Sequence, residues 1–211
     1  MKITKLGHCC LVIEEQGLKI LTDPGDLSTA QNEISGLDVV LITHEHGDHL
    51  HVESLKVVLK NNPQAQVFTN RGVGEILNKE GITYQLLENG QSQQLGDLVI
   101  EGHGQKHAPI YPSVKDVDNV GYFINNKFFY PGDNFTDPGR EVEILALPVS
   151  APWLKLAEAI DYAKLLKPKV CFPVHDGALK TFRAPHSLPA QELPSLGIKF
   201  IIPELGVPFA I

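Results

Sequence analysis

Cysteine is scarce in this sequence, and the cysteines it has are not arranged as a disulfide framework. The 211 residues include only three, of which Cys9 and Cys10 are adjacent. An odd number with this spacing suits neither paired disulfides nor a CxxC metal clip. We therefore expect free, buried thiols.

Long apolar runs are also lacking. The segment 1–6 alternates polar and apolar residues as a strand does, and no apolar stretch follows it that could serve as a signal or membrane segment. We expect a cytoplasmic protein that makes no contact with membranes.

Neither basic stripes nor linkers are present. The 18 Lys and Arg residues are scattered through a chain with a formal net charge of -7, which leaves no surface suited to a phosphodiester backbone. No stretch is rich enough in proline or glycine to be a linker, and no repeat is visible. We predict one domain over residues 1–211 and no nucleic-acid partner, and the sequence gives no indication of the oligomeric state.

Short runs rich in β-branched residues predict strands, and amphipathic patterns between some of them predict helices near residues 52–59, 73–77 and 156–166. Several strands come before the first helix, and later strands alternate with helices, which favours sheets covered by helices. The predicted strands are Cys10–Ile13, Lys19–Leu21, Val39–Ile42, Val67–Thr69, Leu98–Ile100, Val120–Ile124, Phe128–Tyr130, Ile144–Leu147, Val170–Val174 and Lys199–Ile202.

One short run of residues contains most of the side chains that could bind a metal ion. His44, His46, Asp48 and His49 follow directly after the predicted strand Val39–Ile42, where α/β sheets place reactive groups. Imidazoles suit zinc and neighbouring metals, and a carboxylate adds an anionic ligand. His44 and His46, two apart on extended chain, can point the same way and bind one ion, while Asp48 and His49 turn toward a second.

This HxHxDH run resembles the signature of the metallo-β-lactamase fold superfamily. The flanking segments Gly7–Leu11 and Lys19–Pro24 resemble the first hairpin of its small cytoplasmic hydrolase branch, which is similar to the ascorbate-6-phosphate lactonase-like group. The resemblance extends from about residue 3 to about residue 180. It implies a four-layer αββα sandwich with a dinuclear metal site along one edge.

The remaining metal ligands follow from the resemblance. The third histidine of the first metal has two candidates, His103 and His107, and we favour His107 because a strand-end histidine at the start of the long segment 107–119 resembles the family's third metal ligand. The bridging carboxylate is then Asp133, after Gly132, and the last ligand is His175 at the end of an apolar run. The implied set is one ion on His44, His46 and His107, a second on Asp48, His49 and His175, with Asp133 shared.

Other residues have roles beside the metals. Asp23 resembles an aspartate that orients the metal loop, although a plain turn residue before Pro24 is an alternative. Trp153 is either a pocket wall or ordinary core packing. Segment 107–119 is a candidate substrate-facing flap. Residues 176–180 resemble the start of a short helix whose N-terminus, with Lys180 and Arg183, would bind an anionic group of the substrate.

The sequence predicts a metal-dependent hydrolase that activates water against a small ester, lactone, amide or phosphodiester. Asp48 is the candidate that holds the water and receives its proton. Zinc is the favoured metal, with manganese or iron as alternatives. No Gly-x-Ser-x-Gly elbow is present to indicate covalent catalysis. Two alternatives are a mononuclear iron oxygenase of the same fold and a catalytically silent metal-binding module, and the intact second ligand set counts against both.

Overall fold

Two seven-stranded mixed sheets form the centre of the computed structural model, which describes residues 1–211. The first sheet has the strand order β14-β1-β2-β3-β4-β5-β6. Its strands are β1 (Lys2–Gly7), β2 (Cys10–Glu15), β3 (Leu18–Thr22), β4 (Val39–Ile42), β5 (Gln66–Thr69), β6 (Gln85–Leu86) and β14 (Phe209–Ala210).

The second sheet has the order β13-β12-β11-β10-β9-β8-β7. Its strands are β7 (Ser92–Leu95), β8 (Leu98–His103), β9 (Gly121–Ile124), β10 (Phe128–Tyr130), β11 (Ile144–Pro148), β12 (Val170–Val174) and β13 (Lys199–Phe200). The helices are α1 (Val52–Asn61), α2 (Arg71–Lys79), α3 (Leu156–Leu166) and α4 (Arg183–Glu192), with short 3₁₀ turns at Ala30–Glu33 and Leu193–Leu196.

Each sheet is covered on both faces, which explains why its central strands are almost wholly apolar. Side chains such as Leu11 and Tyr122 meet between the sheets, in a cluster of 20 buried residues. The outer face of the first sheet packs on α1 and α2, and that of the second packs on α3. The predicted αββα sandwich is confirmed, and all ten predicted strands fall on observed ones.

The sequence-based expectations were wrong in two places near the C-terminus. Residues 176–180 form a turn instead of the start of a helix. The helix begins only at Arg183, and none of the three helices predicted from the sequence covers it. Pro185 and Pro189 are the reason that the sequence of α4 does not indicate a helix. Pro185 lies in the first helical turn, where the N–H that proline lacks has no helical partner, whereas Pro189 lies inside the helix.

Three short strands, β6, β7 and β14, were also not predicted, because two of them have only two residues and β7 is mostly polar. None of the helices is both long and apolar enough to cross a membrane.

Candidate metal centre

The candidate ligands gather where strands of both sheets end. His44 lies two residues beyond β4, and His175 directly follows β12. His107 and Asp133 lie in the loops after β8 and β10. Because these strand ends meet along one edge of the sandwich, side chains far apart in sequence come together there.

The first group consists of His44, His46 and His107. Their ring centroids are 4.7–5.0 Å apart, and each offers a nitrogen within 4.8 Å of the others. Nε2 of His44 lies 3.1 Å from Nδ1 of His46. Burial and neighbouring imidazoles hold the pKa of His44 well below its usual range, so this ring is neutral, as a metal ligand must be.

The second group contains Asp48, His49 and His175, together with His8. Oδ2 of Asp48 lies 3.4 Å from Nε2 of His175 and 3.9 Å from Nε2 of His49. Nε2 of His8 lies 3.2 Å from the same oxygen. His8 belongs to the segment Gly7–Leu11 that carries the family resemblance, and the structure makes it a direct neighbour of Asp48.

Asp133 lies between the two groups. One carboxylate oxygen is 3.1 Å from Nε2 of His49, and the other is 3.3 Å from Nε2 of His107 and 3.0 Å from that of His175. Gly132 permits this approach, because its φ of +65° is left-handed and a Cβ there would lie 2.4 Å from a side-chain oxygen of Asn119.

The arrangement fits bound metal ions. Four buried atoms of the site have no hydrogen-bond partner, namely Nε2 of His49, His107 and His175 and Oδ1 of Asp133. Buried polar atoms are normally partnered, so their convergence on one space needs a reason. A set of imidazole nitrogens and carboxylate oxygens suits zinc and neighbouring divalent metals.

The charges of the site compensate one another. Burial alone would lower the pKa of His175, but Asp133 and Asp48 outweigh it and raise that pKa to about 11. Burial alone would raise the pKa of Asp133, but the charge of His49 and the neighbouring imidazoles hold it well below its usual range. In the metal-free site, imidazolium protons therefore neutralise the carboxylates. Cations that bind there displace these protons.

Asp23 supports the metal loop, residues 43–49, through buried contacts. The carboxylate is fully buried and accepts hydrogen bonds from the backbone N–H and the hydroxyl of Thr43, at 2.8 and 2.7 Å. It also lies 2.7 Å from Nδ1 of His49 and accepts from the hydroxyl of Tyr130. Asp23 thus fixes the ring of His49 instead of acting as a plain turn residue.

Two further ligand candidates are oriented by backbone carbonyls. Nδ1 of His107 lies 2.5 Å from the oxygen of Ala108, and Nδ1 of His175 lies 2.6 Å from that of Ser150. A carbonyl accepts a hydrogen bond from Nδ1–H, which leaves the Nε2 lone pair facing the site.

Cys9 lies beside the second group. Its Sγ is within 4.8 Å of a ring nitrogen of His49 and an oxygen of Asp133. Burial alone would raise the pKa of this thiol, but the neighbouring imidazoles of His8 and His49 lower it to about 6. All three cysteines are free and buried, as the sequence predicts. Nothing in the sequence distinguished Cys9 from Cys10.

Several other histidines lie away from the site. The ring of His103 packs at about 6 Å from Phe123 and Phe129, so the structure brings His107 and not His103 to the other candidates. His51 caps α1 by accepting from the backbone N–H of Ser54. His186 contacts Asp176 at 2.7 Å.

The predicted anion site after His175 lacks its helix. Lys180 and Arg183 are exposed, and Gly177 lies in a turn. Asp176 faces away from the ligand groups, because its carboxylate is held by Lys5 at 2.6 Å and by His186. Segment 107–119, the candidate flap, is irregular as expected, and Tyr111 at its tip is 68% exposed.

Trp153 contacts the site more directly than its sequence position indicated. Its indole N–H donates to Oδ2 of Asp133 at 2.8 Å, and its ring lies 5.1 Å from that of Phe135 and 6.1 Å from that of His107. The indole therefore both forms a wall of the site and fixes one oxygen of Asp133. A hydrogen bond of this kind cannot be read from a sequence, because it depends on the loop before α3.

We expect metal binding to change the emission of Trp153, which is the only tryptophan in the chain. Trp153→Phe keeps the aromatic packing and removes the N–H donor, so metal affinity should fall about 10-fold, as for other residues that orient ligands. Titration against a chromogenic chelator measures the affinity. Unchanged emission in the wild type together with unchanged affinity in the variant would show that the contact does not orient Asp133.

Comparison with known proteins connects this geometry to a family. A model of the β-lactamase superfamily domain matches residues 2–175. Protein Rv0786c of Mycobacterium tuberculosis is 33% identical over 180 residues, which covers 83% of this chain and 84% of that protein. The UPF0173 metal-dependent hydrolase MJ1163 of Methanocaldococcus jannaschii is 24% identical over 225 residues, with 99% and 100% covered. The solved structure of Igni18, a metallo hydrolase of Ignicoccus hospitalis, is similar in fold, with a TM-score of 0.75, 22% identity and 100% and 98% of the two chains covered.

Proposed function

The chain belongs to the β-lactamase superfamily and is a metal-dependent hydrolase, and we propose that its active site binds two divalent ions. In this proposal one ion is held by His44, His46 and His107 and the other by Asp48, His49 and His175, with Asp133 shared. The observation that carries the proposal is the convergence of unpartnered buried atoms from both groups on Asp133.

Two divalent ions at such a site supply an activated water and polarise the substrate oxygen that it attacks. The side chains of the site orient the attacking water and accept its proton. Asp48 is the one partly exposed carboxylate of the site, with 29% of its side chain open to solvent. The neighbouring imidazoles of His175 and His8 outweigh burial and keep the pKa of Asp48 well below its usual range, so it stays an anionic acceptor that can orient a water. Trp153 forms a wall on the side of Asp133.

We propose a small substrate with an ester, lactone, amide or phosphodiester bond. Zinc is the favoured ion because five imidazoles and two carboxylates make up the donor set, and manganese or iron remain alternatives. An anionic group on the substrate stays a prediction that now rests only on the exposed cations Lys180 and Arg183. Three free buried cysteines fit the reducing cytoplasm that the sequence predicts.

The proposal is tested by metal content and activity together. Emission spectroscopy on protein stripped by chelation and reloaded with single metals should give two ions per chain. A screen of lactones, phosphodiesters and acyl thioesters should find hydrolysis that chelation abolishes and one metal restores. One iron per chain with consumption of oxygen would support the oxygenase alternative instead. Bound metal without turnover of any of these substrates would favour the silent module.

A further inference from the structure

The histidines of the site differ in what faces their Nδ1 atoms. For His49 the neighbour is the carboxylate of Asp23, and for His107 and His175 it is a backbone carbonyl. All three neighbours accept hydrogen bonds, so in the neutral ring the proton lies on Nδ1 and the Nε2 lone pair is available to a metal.

His8 has the opposite environment. Its Nδ1 lies 3.0 Å from the backbone N–H of Gly177, which can only donate. The Nδ1 lone pair of His8 is therefore occupied, and the proton of the neutral ring lies on Nε2. That Nε2 is 3.2 Å from Oδ2 of Asp48, within reach for donation to the carboxylate.

We infer that His8 is a positioning residue for Asp48 and not a further protein ligand of the second metal beside Asp48, His49, His175 and the shared Asp133, although its ring lies among that group. This inference rests on the proposed function. With Nε2–H directed at Oδ2, His8 fixes the rotamer of the one partly exposed carboxylate of the site. It also occupies a lone pair of that oxygen, so that Asp48 presents its other acceptor positions to the site.

The surrounding structure prevents His8 from changing this role. The residue is 2% exposed and has a left-handed φ of 44° in the turn between β1 and β2. Its carbonyl accepts from the backbone N–H of His175 at 3.3 Å, and the two rings lie 4.2 Å apart. A Cβ on Gly177 would lie 2.8 Å from Cβ of His8, so only glycine brings its N–H to the ring.

Nuclear magnetic resonance on wild-type protein loaded with a spin-active cadmium isotope tests the inference without a substrate. With isotopically labelled histidine nitrogens, direct coupling to cadmium should appear for His44, His46, His49, His107 and His175. His8 should show no coupling and a protonated Nε2. Coupling to His8 would overturn the inference and leave the proposed function intact. Loss of all couplings would instead contradict the proposed metal centre.

Variants supply a second, independent measurement. His8→Leu should keep two metal ions per chain but lower kcat about 10- to 100-fold, as is usual when a partner of a ligand is removed. His8→Gln, which retains an N–H donor of similar reach, should recover part of that loss. His103→Gln is the matched control, since His103 lies away from the site, and it should behave as wild type. Loss of one ion in His8→Leu would identify His8 as a ligand, and unchanged kcat would show that it does not position Asp48.

Discussion

Asp48→Ala is expected to abolish measurable turnover, with kcat lowered by about 10³-fold or more, while the protein stays folded. Asp48 lies in the loop after β4, outside the three buried apolar clusters. Its carboxylate contacts only His8, His49 and His175, so its removal takes away an anionic acceptor and a candidate ligand without opening a cavity. Turnover of the substrate found in the screen, measured with metal at saturation, gives the effect.

Asp26→Ala is the control for this substitution. Asp26 is an exposed aspartate in the loop after β3, close to Gly47 of the neighbouring loop, and it belongs to none of the ligand groups. It should retain wild-type kcat. Circular dichroism compares the Asp48 variant with metal-free wild type, and a variant that is unfolded where metal-free wild type is folded would remove the support for a catalytic Asp48.

The part of the site that could be predicted from sequence is the part that depends on local order along the chain. His44 to His49 stand together directly after a buried strand, and His175 ends another. The structure brings His49 and His175 to within 3.1 Å of Asp133, although Asp133 lies 84 positions after His49 in the sequence. Strand ends of both sheets meet at this edge of the sandwich. The run His44–His49 was identified from its residue types and its place after a strand, whereas Asp133 and His175 were assigned through the family resemblance.

The contacts that orient these residues could not be predicted, because they depend on loops and on backbone atoms. Trp153 reaches Asp133 from the loop before α3, and His8 meets Gly177 through a backbone N–H. Backbone donors carry no residue-type signal. The same limit explains the error at residues 176–180, where the polar and small residues suit a helix start and a turn equally well.

Asp176 shows how an error in local structure also changes the expected chemistry. In the expected helix, its carboxylate would have opposed an anion bound at the N-terminus. In the structure it forms a buried ion pair with Lys5, 2.6 Å away, and contacts His186 of α4. Asp176, directly after the candidate ligand His175, thus anchors the turn to β1 and to α4, which is a structural role.

Asp23→Ala is expected to lower the free energy of unfolding by about 3–5 kcal/mol, the range for removing one partner of a buried ion pair. Asp23 and the ring of His49 are both fully buried, and the substitution would leave that imidazole, Thr43 and the hydroxyl of Tyr130 without their shared acceptor. Equilibrium denaturation of metal-free proteins, with chelator present throughout, measures the change without a contribution from metal affinity.

The same variant separates a structural effect from a chemical one. Because Asp23 holds Nδ1 of His49 and contacts no solvent, its loss should weaken metal binding, yet kcat of the fully loaded fraction should fall less than in Asp48→Ala. Asp26→Ala again serves as control and should unfold as wild type does. If Asp23→Ala were as stable as wild type, water must satisfy these buried donors, and the carboxylate would not be what holds the metal loop on β4.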